Sequence, residues 1–370
     1  MKKGWQTRNL GDLCRIRTGK KDVNEGNPDG EFPFFTCAAE HTFSDSYSFD
    51  TEALLIAGNG DVGKVSYYKG KFEAYQRTYV LSDFADVLPR FLFLILDGKL
   101  KDTVSKQKLG NTMPFIKVGM LTDFQLPVPP LLEQQRIVGI LDEAFDGIAS
   151  AKANAEKNLQ NTRALFESHL QSVFTQRGVG WVETTLGEVC NFVGGSQPPK
   201  SAFVKTPSSG KVRLIQIRDY KSDKHLVHIP RSLARRFCKA DDVMIGRYGP
   251  PIFQILRGLE GAYNVALMKA VPDESKLSRD YLFYLLKHSA IQQYVIYHSE
   301  RAAGQSGLNK DTLEPYPIAL PAVAEQRKIV ETTKELESKT QRLESIYQQK
   351  LDALDALKRS LLHQAFSGRL

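Results

Sequence analysis

The sequence predicts an α+β protein built twice. Two β-rich, mixed α/β blocks are joined by two long helices that pack as an antiparallel coiled coil, giving a pseudo-twofold internal repeat. Three observations carry this. Residues 133–177 and 325–369 align without a gap at an offset of 192. Each opens on Glu-Gln (Glu133-Gln134, Glu325-Gln326) and closes on an apolar turn (Leu170 and Phe174, Leu362 and Phe366). Ahead of each, Trp5, Leu10, Gly11, Asp12, Cys14 and Gly19 match Trp181, Leu186, Gly187, Glu188, Cys190 and Gly195 at an offset of 176. The offset grows by 16 before the helical stretches, so the second copy has gained residues inside its block. Block, helix, block, helix is the order of a tandem duplication.

The helical stretches contain no proline, and their small or apolar residues recur at spacings of four and three. That is the 3.5-residue period of a coiled coil. The first seam reads Ile137, Leu141, Ala144, Ile148, Ala151, Ala155, Asn158, Thr162 and Leu165. The second reads Ile329, Thr333, Leu336, Thr340, Leu343, Tyr347, Lys350, Leu354, Leu357 and Leu361. A seam of alanines with Asn158 and Thr162 is too weak for a lone helix, so each stretch is expected to pair with its repeat. Asn158 and Lys350 occupy equivalent positions, where a polar residue can set register.

Taken in order, residues 53–57 read as an apolar strand. A Gly-rich turn at 58–63 follows, then strands over 64–68 and 72–81 and a helix over 88–96. Residues 110–126 read as a polar loop and short helix running into Pro127 and Pro129. In the second block, 212–217 and 243–245 read as strands, 246–251 as the equivalent turn and 281–286 as the matching helix. Residues 304–319 lead to Pro321 in the same way. In this alignment Arg247-Tyr248 replaces Asn59-Gly60.

With 50 Lys and Arg against 42 Asp and Glu the chain is basic, +8, and the second block carries most of the excess. A polyanion is therefore the favoured partner. No apolar run approaches the ~20 residues of a membrane span, and none follows the basic start, so a cytoplasmic protein is expected. The cysteines, Cys14, Cys37, Cys190 and Cys238, lack metal-type spacing and suit buried apolar roles.

Catalytic signatures are missing. Gly58, Gly60 and Gly63 spell G-x-G-x-x-G, but Val65-Ser66-Tyr67-Tyr68 prefers strand where dinucleotide binding needs a helix. His225 and His228 lack a third ligand, and Pro272-Asp273 with Glu274 and Lys276 lie too close together to be two elements of a nuclease site. Neither a Walker lysine loop nor the Asn-Pro-Pro-Tyr or Asp-Pro-Pro-Tyr tetrapeptide of an amino-methyltransferase occurs. A two-copy chain with an enzyme signature in neither copy reads as a binder. The competing reading is an interaction scaffold with a helical docking rod and no role on DNA.

Trp5 to Gly11 with Trp181 to Gly187, the runs from Pro127 and from Pro317 into Glu133-Gln134 and Glu325-Gln326, and the Gly-rich turn through Lys64 make a combined signature. In these, over essentially the whole chain, the sequence resembles the specificity subunit of type I restriction-modification systems. The resemblance implies target recognition domains over 1–130 and 179–320, each reading one half of a split double-stranded DNA sequence. Spacer helices would span 131–178 and 321–370 and dock two modification (methyltransferase) subunits, with restriction (motor and nuclease) subunits joining them. It implies no catalysis and no cofactor on this chain. S-adenosylmethionine, ATP and Mg would belong to the partners.

Base reading calls for Arg, Asn, Gln or Lys on loops beside a rigid sheet. The first-block candidates are Asn59, Lys64, Gln76 and Arg77, with Lys20 and Lys117 for phosphate. The second-block candidates are Arg213, Gln216, Arg218, Arg247, Tyr248 and Asn264, with Lys310 for phosphate.

Overall fold

The computed structural model describes residues 4–107, 115–176, 178–249, 251–301 and 307–370. Parts of the expected loops at 110–126 and 304–319, Pro250 of the second turn and Arg177 lie outside the described residues. The chain divides into two compact units. Unit 1 takes residues up to 156 together with Gln348–Leu370, and unit 2 is Lys157–Tyr347.

In unit 1 a six-stranded sheet runs in the order Arg15–Thr18, Thr78–Ser82, Phe49–Ala57, Val65–Ala74, Phe32–Phe35, Thr42–Ser44. All neighbours are antiparallel except Phe32–Phe35, which lies parallel to the end of Val65–Ala74. Strand alternation sorts the central residues between two cores. Leu54 and Ile56 join the main core with Phe91, Leu92 and Ile95 of the Pro89–Gln107 helix, while Ala53 and Leu55 face Phe72 and Val80. The expected strands at 64–68 and 72–81 are divided differently. One strand runs unbroken from Val65 to Ala74 through Gly70, whose φ of +132° only glycine adopts without strain, and the break falls at Tyr75–Arg77.

Unit 2 splits the equivalent sheet into two of four strands. One runs Cys190–Gly194, Leu267–Pro272, Val243–Gly246, Gln254–Leu256, and the other His228–Pro230, Lys211–Ile215, Gly261–Tyr263, Phe237–Cys238. The Arg279–Lys287 helix is where the pattern placed one, and a further helix at Ser289–Arg301 was not anticipated. In each unit a short antiparallel pair, Gln6–Asn9 with Gln125–Val128 and Val182–Thr185 with Pro317–Leu320, leads into a long helix.

Those helices are Leu131–Thr175 and Val323–Phe366. The Glu-Gln motif explains their fixed starts. Gln134 is fully buried; its amide oxygen accepts from Leu88 N at 2.8 Å, and its Nε2 donates to the carbonyls of Asp86 at 3.0 Å and Pro129 at 2.8 Å. Gln326 repeats this with Ser278 N at 2.8 Å and the carbonyls of Lys276 at 2.7 Å and Pro321 at 2.9 Å. Each glutamine satisfies three backbone groups, one buried and two part-buried; a buried group left without a partner costs about 1–3 kcal/mol.

Within each unit the two helices pair antiparallel. Lys152 binds Asp355 at 2.8 Å in unit 1, and Arg163 binds Glu344 at 3.1 Å in unit 2. The far ends close on the blocks. Phe366 meets Phe91 edge-on at 5.6 Å, and Phe174 meets Tyr281 at 5.2 Å. A unit is therefore one block, the start of its own helix and the end of the other copy's helix.

The predicted seam holds in one row and fails in the other. Leu141, Ile148, Ala155 and Thr162 are buried, as are Thr333 and Thr340. The alternate row lies one residue later, at Leu159, Phe166, Glu344 and Leu351, and Leu165, Leu343 and Leu357 are exposed. Asn158 and Lys350 face solvent, so they do not set register. Leu165-Phe166 and Lys350-Leu351 each offer two neighbours to a periodic pattern, and only packing chooses between them. The ion pairs of Lys152 and Arg163 lie one residue past the seam positions Ala151 and Thr162, beside the seam rather than in it.

Candidate nucleic-acid interface

In unit 1 the end of Phe49–Ala57 and the starts of Val65–Ala74 and Thr78–Ser82 meet at one rim of the sheet, with the end of Arg15–Thr18 beside them. Three connections are stitched together there. Gly58 N donates to Arg77 O at 3.0 Å, Ile116 N to Gly58 O at 3.0 Å, and Cys37 Sγ to Arg77 O at 3.4 Å. Gly60 and Gly63 take left-handed φ values of 62° and 81°, and the chain leaves as a strand, so the Gly-rich segment is a hairpin turn rather than a dinucleotide loop.

This scaffold brings most first-block candidates together. Asn59 is half-buried and bridges Phe115, and Lys64 donates through Nζ to Ala39 O. Gln76 is exposed, its Nε2 donating to Asp22 Oδ2 at 3.0 Å, and the Arg77 side chain is exposed with no partner among the described residues. Gln76 and Arg77 border a recess of about 360 Å³ lined also by Thr18, Gly58, Tyr79, Phe115 and Ile116. Lys20 is exposed just past the Arg15–Thr18 strand, and exposed Lys117 follows Ile116 at the N-cap of the Val118–Thr122 helix. A recess flanked by an amide and an uncommitted guanidinium, on loops tied to a rigid sheet, suits recognition of a base edge.

The unit 2 rim has the same plan and different chemistry. Arg247 N donates to Ala266 O at 2.9 Å and Leu308 N to Arg247 O at 3.0 Å, which are the bonds Gly58 makes in unit 1. The hydrogen bonds therefore correct the sequence alignment by one residue: Gly58-Asn59, not Asn59-Gly60, matches Arg247-Tyr248. Much of the Arg247 guanidinium is spent internally. Its Nε donates to Leu308 O at 2.8 Å, one terminal nitrogen reaches Val265 O at 3.3 Å, and it lies 5.5 Å over the Tyr248 ring. Tyr248 remains 40% exposed, its ring packed so close over Gly307 that a Cβ there would clash at 2.3 Å.

Asn264 folds its Oδ1 back to Ala266 N at 3.2 Å. Arg213 pairs with Asp223 at 3.2 Å and Arg218 is exposed. Gln216 N donates to Asp219 Oδ2 at 3.0 Å, while Gln216 Nε2 and Asp219 Oδ1 are buried without a hydrogen-bond partner among the described residues. Burial pushes the Asp219 carboxyl above the usual carboxylate range. Lys310 opens the Lys310–Leu313 helix two residues past Leu308 and pairs with Glu314 at 3.2 Å. Sequence reasoning overlooked the cations at Lys200, Lys205, Arg231, Arg235 and Arg236, all exposed; a charge count over a window of some forty residues would have found them.

All four cysteines are free and buried, and burial pushes the Cys14 and Cys190 thiols up to about 12. Among the described residues no His, Cys, Asp and Glu group is arranged to hold a metal, and no helix is long and apolar enough to cross a membrane.

Comparison with known proteins agrees with this architecture. Over residues 2–160 and again over 178–352 the chain matches the family model described as type I restriction modification DNA specificity domain. It is 27% identical to the type I restriction enzyme EcoDI specificity subunit of Escherichia coli, across 99% of this chain and 88% of that one. A solved chain from work on complex assembly and conformational transition of the type I R-M system superposes with a TM-score of 0.77 at 20% identity, covering 100% of this chain and 99% of that one. The HsdS subunit from Thermoanaerobacter tengcongensis does so with a TM-score of 0.56 at 20% identity, covering 100% and 98%. At that identity the structural likeness is one of fold. The family model spans both copies of the repeat, and the chain belongs to the type I restriction-modification DNA specificity family.

Proposed function

We propose that this chain is the DNA specificity subunit of a type I restriction-modification complex, and that each unit reads one half of a split double-stranded target. The observation that carries this is the pair of rims: one backbone scaffold repeated twice, with different side chains mounted on it. In unit 1 the uncommitted cation is Arg77, whose structural counterpart is Ala266; in unit 2 an arginine stands instead at the position of Gly58. Two copies that read different sequences are expected to keep the backbone and exchange the groups that touch bases.

In this reading residues 1–130 and 179–320 are the recognition domains. Asn59, Gln76 and Arg77 contact bases in one half-site, and Gln216, Arg218, Tyr248 and Asn264 do so in the other. Lys20, Lys64 and Lys117 sit where phosphate would pass, and Arg247 acts largely by holding its loop in place. Lys310, two residues past Leu308 and already paired with Glu314, is the weakest of the candidates. The exposed Leu165, Leu343, Ile346 and Leu357 on the long helices offer apolar surface for the modification subunits. The chain itself catalyses nothing; S-adenosylmethionine, ATP and Mg act on the modification and restriction subunits.

The test is genome-wide mapping of adenine methylation in the source cell with and without the gene. Loss of one motif made of two short halves around a gap is the expected result. An unchanged methylome in cells that express the partner subunits would refute the assignment.

A further inference from the structure

The two units carry the same outer subsheet with opposite charge. In unit 1 Phe32–Phe35 pairs antiparallel with Thr42–Ser44 and parallel with the end of Val65–Ala74. In unit 2 Lys211–Ile215 pairs antiparallel with His228–Pro230 and parallel with Gly261–Tyr263. Residues 20–52, which contain the first hairpin, hold eight Asp and Glu against two Lys, net −6. Residues 196–240, which contain the second, hold eleven Lys and Arg against two Asp, net +9, in a chain whose total is +8. One outer subsheet thus accounts for the basicity of the whole protein.

Packing decides where those cations point. Leu214, Ile229 and Ala262 form a small core covered by Phe203, Val212 and Ala234. Phe203 and Ala234 come from two segments that cross this face, and with their apolar residues turned inward they leave Lys200, Lys205, Arg231, Arg235 and Arg236 in solvent. Both segments are fixed in place. Val204 and His228 exchange backbone hydrogen bonds of 3.0 and 2.8 Å, and Arg231 N donates to Gly210 O at 2.9 Å while its guanidinium lies 5.4 Å over Phe237. Of the eleven cations only Arg213 forms an ion pair among the described residues, with Asp223. Concentrated cations without neutralising carboxylates repel one another, and a polyanion relieves that repulsion.

We propose that this cap is a phosphate clamp on duplex DNA beside the half-site of unit 2, supplying sequence-independent affinity that unit 1 lacks. The inference rests on the DNA-reading assignment above and adds to it an electrostatic inequality between the readers. Lys211–Ile215, at about 3.3 Å per residue, is some 16 Å long, roughly the axial length of five base-pair steps, so cations along the cap can meet several phosphates. The acidic hairpin of unit 1 repels phosphate at the corresponding place. Unit 1 must therefore hold its half-site through the rim alone.

The test uses the full chain and a labelled random-sequence duplex titrated over a series of KCl concentrations. Removing one cation that meets a phosphate should lower the magnitude of the log K against log [KCl] slope by about 0.9. Arg235→Gln with Arg236→Gln should therefore lower it by about 1.8, Lys200→Gln with Lys205→Gln should act in the same direction, and the paired Arg→Lys variants should retain the wild-type slope. These side chains are exposed, so melting temperatures should not move, and discrimination between duplexes differing by one base pair should persist. Salt-dependent wild-type binding that neither Gln pair alters would overturn the clamp and leave the DNA-reading assignment standing. Failure of the wild-type chain to bind any duplex would overturn both.

Discussion

In unit 1 Arg90 of the block helix binds Asp142 of the long helix at 2.6 Å; at the equivalent positions of unit 2, Asp280 binds Lys334 at 2.6 Å. The geometry is kept and the charges are exchanged. The buried glutamines, by contrast, are identical in the two units and make the same three bonds. The difference follows from solvent. An ion pair more than a third exposed is worth little and either polarity serves, whereas a backbone donor and two carbonyls converging on one buried side chain accept few substitutes for an amide. The outer hairpins extend the lesson: where a surface meets water or a partner the two copies have diverged to opposite sign, and where it meets the core they have not.

The largest effect should come from the crossed helix ends. Phe366 is 3% exposed and lies near the end of the chain, yet it packs on Phe91 in unit 1. Phe366→Ala should destabilise unit 1 by about 3–4 kcal/mol and spare unit 2, read by hydrogen exchange on amides of each block. Equal deprotection of both blocks would show that the units do not unfold separately. Next come Gln134→Ala and Gln326→Ala, each leaving one buried and two part-buried backbone groups without the amide and each costing about 2–3 kcal/mol in denaturant melts. A large inequality between the two would break the equivalence of the two helix starts.

Smaller still is the exchanged ion pair. Arg90→Asp with Asp142→Lys, which installs the unit 2 polarity in unit 1, should recover most of the ~0.5–1 kcal/mol that either single change removes; a double-mutant cycle with no coupling would contradict it. The smallest effect belongs to His288, whose counterpart is Gly98. His288 is buried, with Nε2 2.8 Å from Gln171 Oε1, and burial lowers its pKa below the usual 6.5. The unfolded chain then binds the proton more readily than the folded one, so the contribution of His288 is complete above about pH 6.5 and is lost as pH falls below it. Unit 2 alone should loosen between pH 7 and 5, and His288→Gln should flatten that dependence in pH-resolved thermal melts.

Much of this architecture was legible because duplication made the sequence its own alignment: Glu133-Gln134 against Glu325-Gln326 located both helix starts, and Gly58 to Gly63 located the rim turn. What escaped was decided by tertiary packing. Adjacent side chains such as Leu165 and Phe166 both suit a helical period, and the seam takes only Phe166. Arg247 looked free by residue type, but its guanidinium donates to the carbonyls of Leu308 and Val265. The one-residue slip in the turn alignment could be corrected only by hydrogen bonds that link it to residues about twenty and sixty positions away. The basic cap was visible in composition, but its cations became a surface only once Phe203 and Ala234 were seen to turn inward beneath them.

The most direct test of a two-reader molecule is the methylated motif of cells carrying Gln76→Ala with Arg77→Ala in place of the wild-type chain. The account predicts that one half of the motif relaxes or changes while the other half and the gap between them stay as they were. A change in both halves, or in neither, would contradict it.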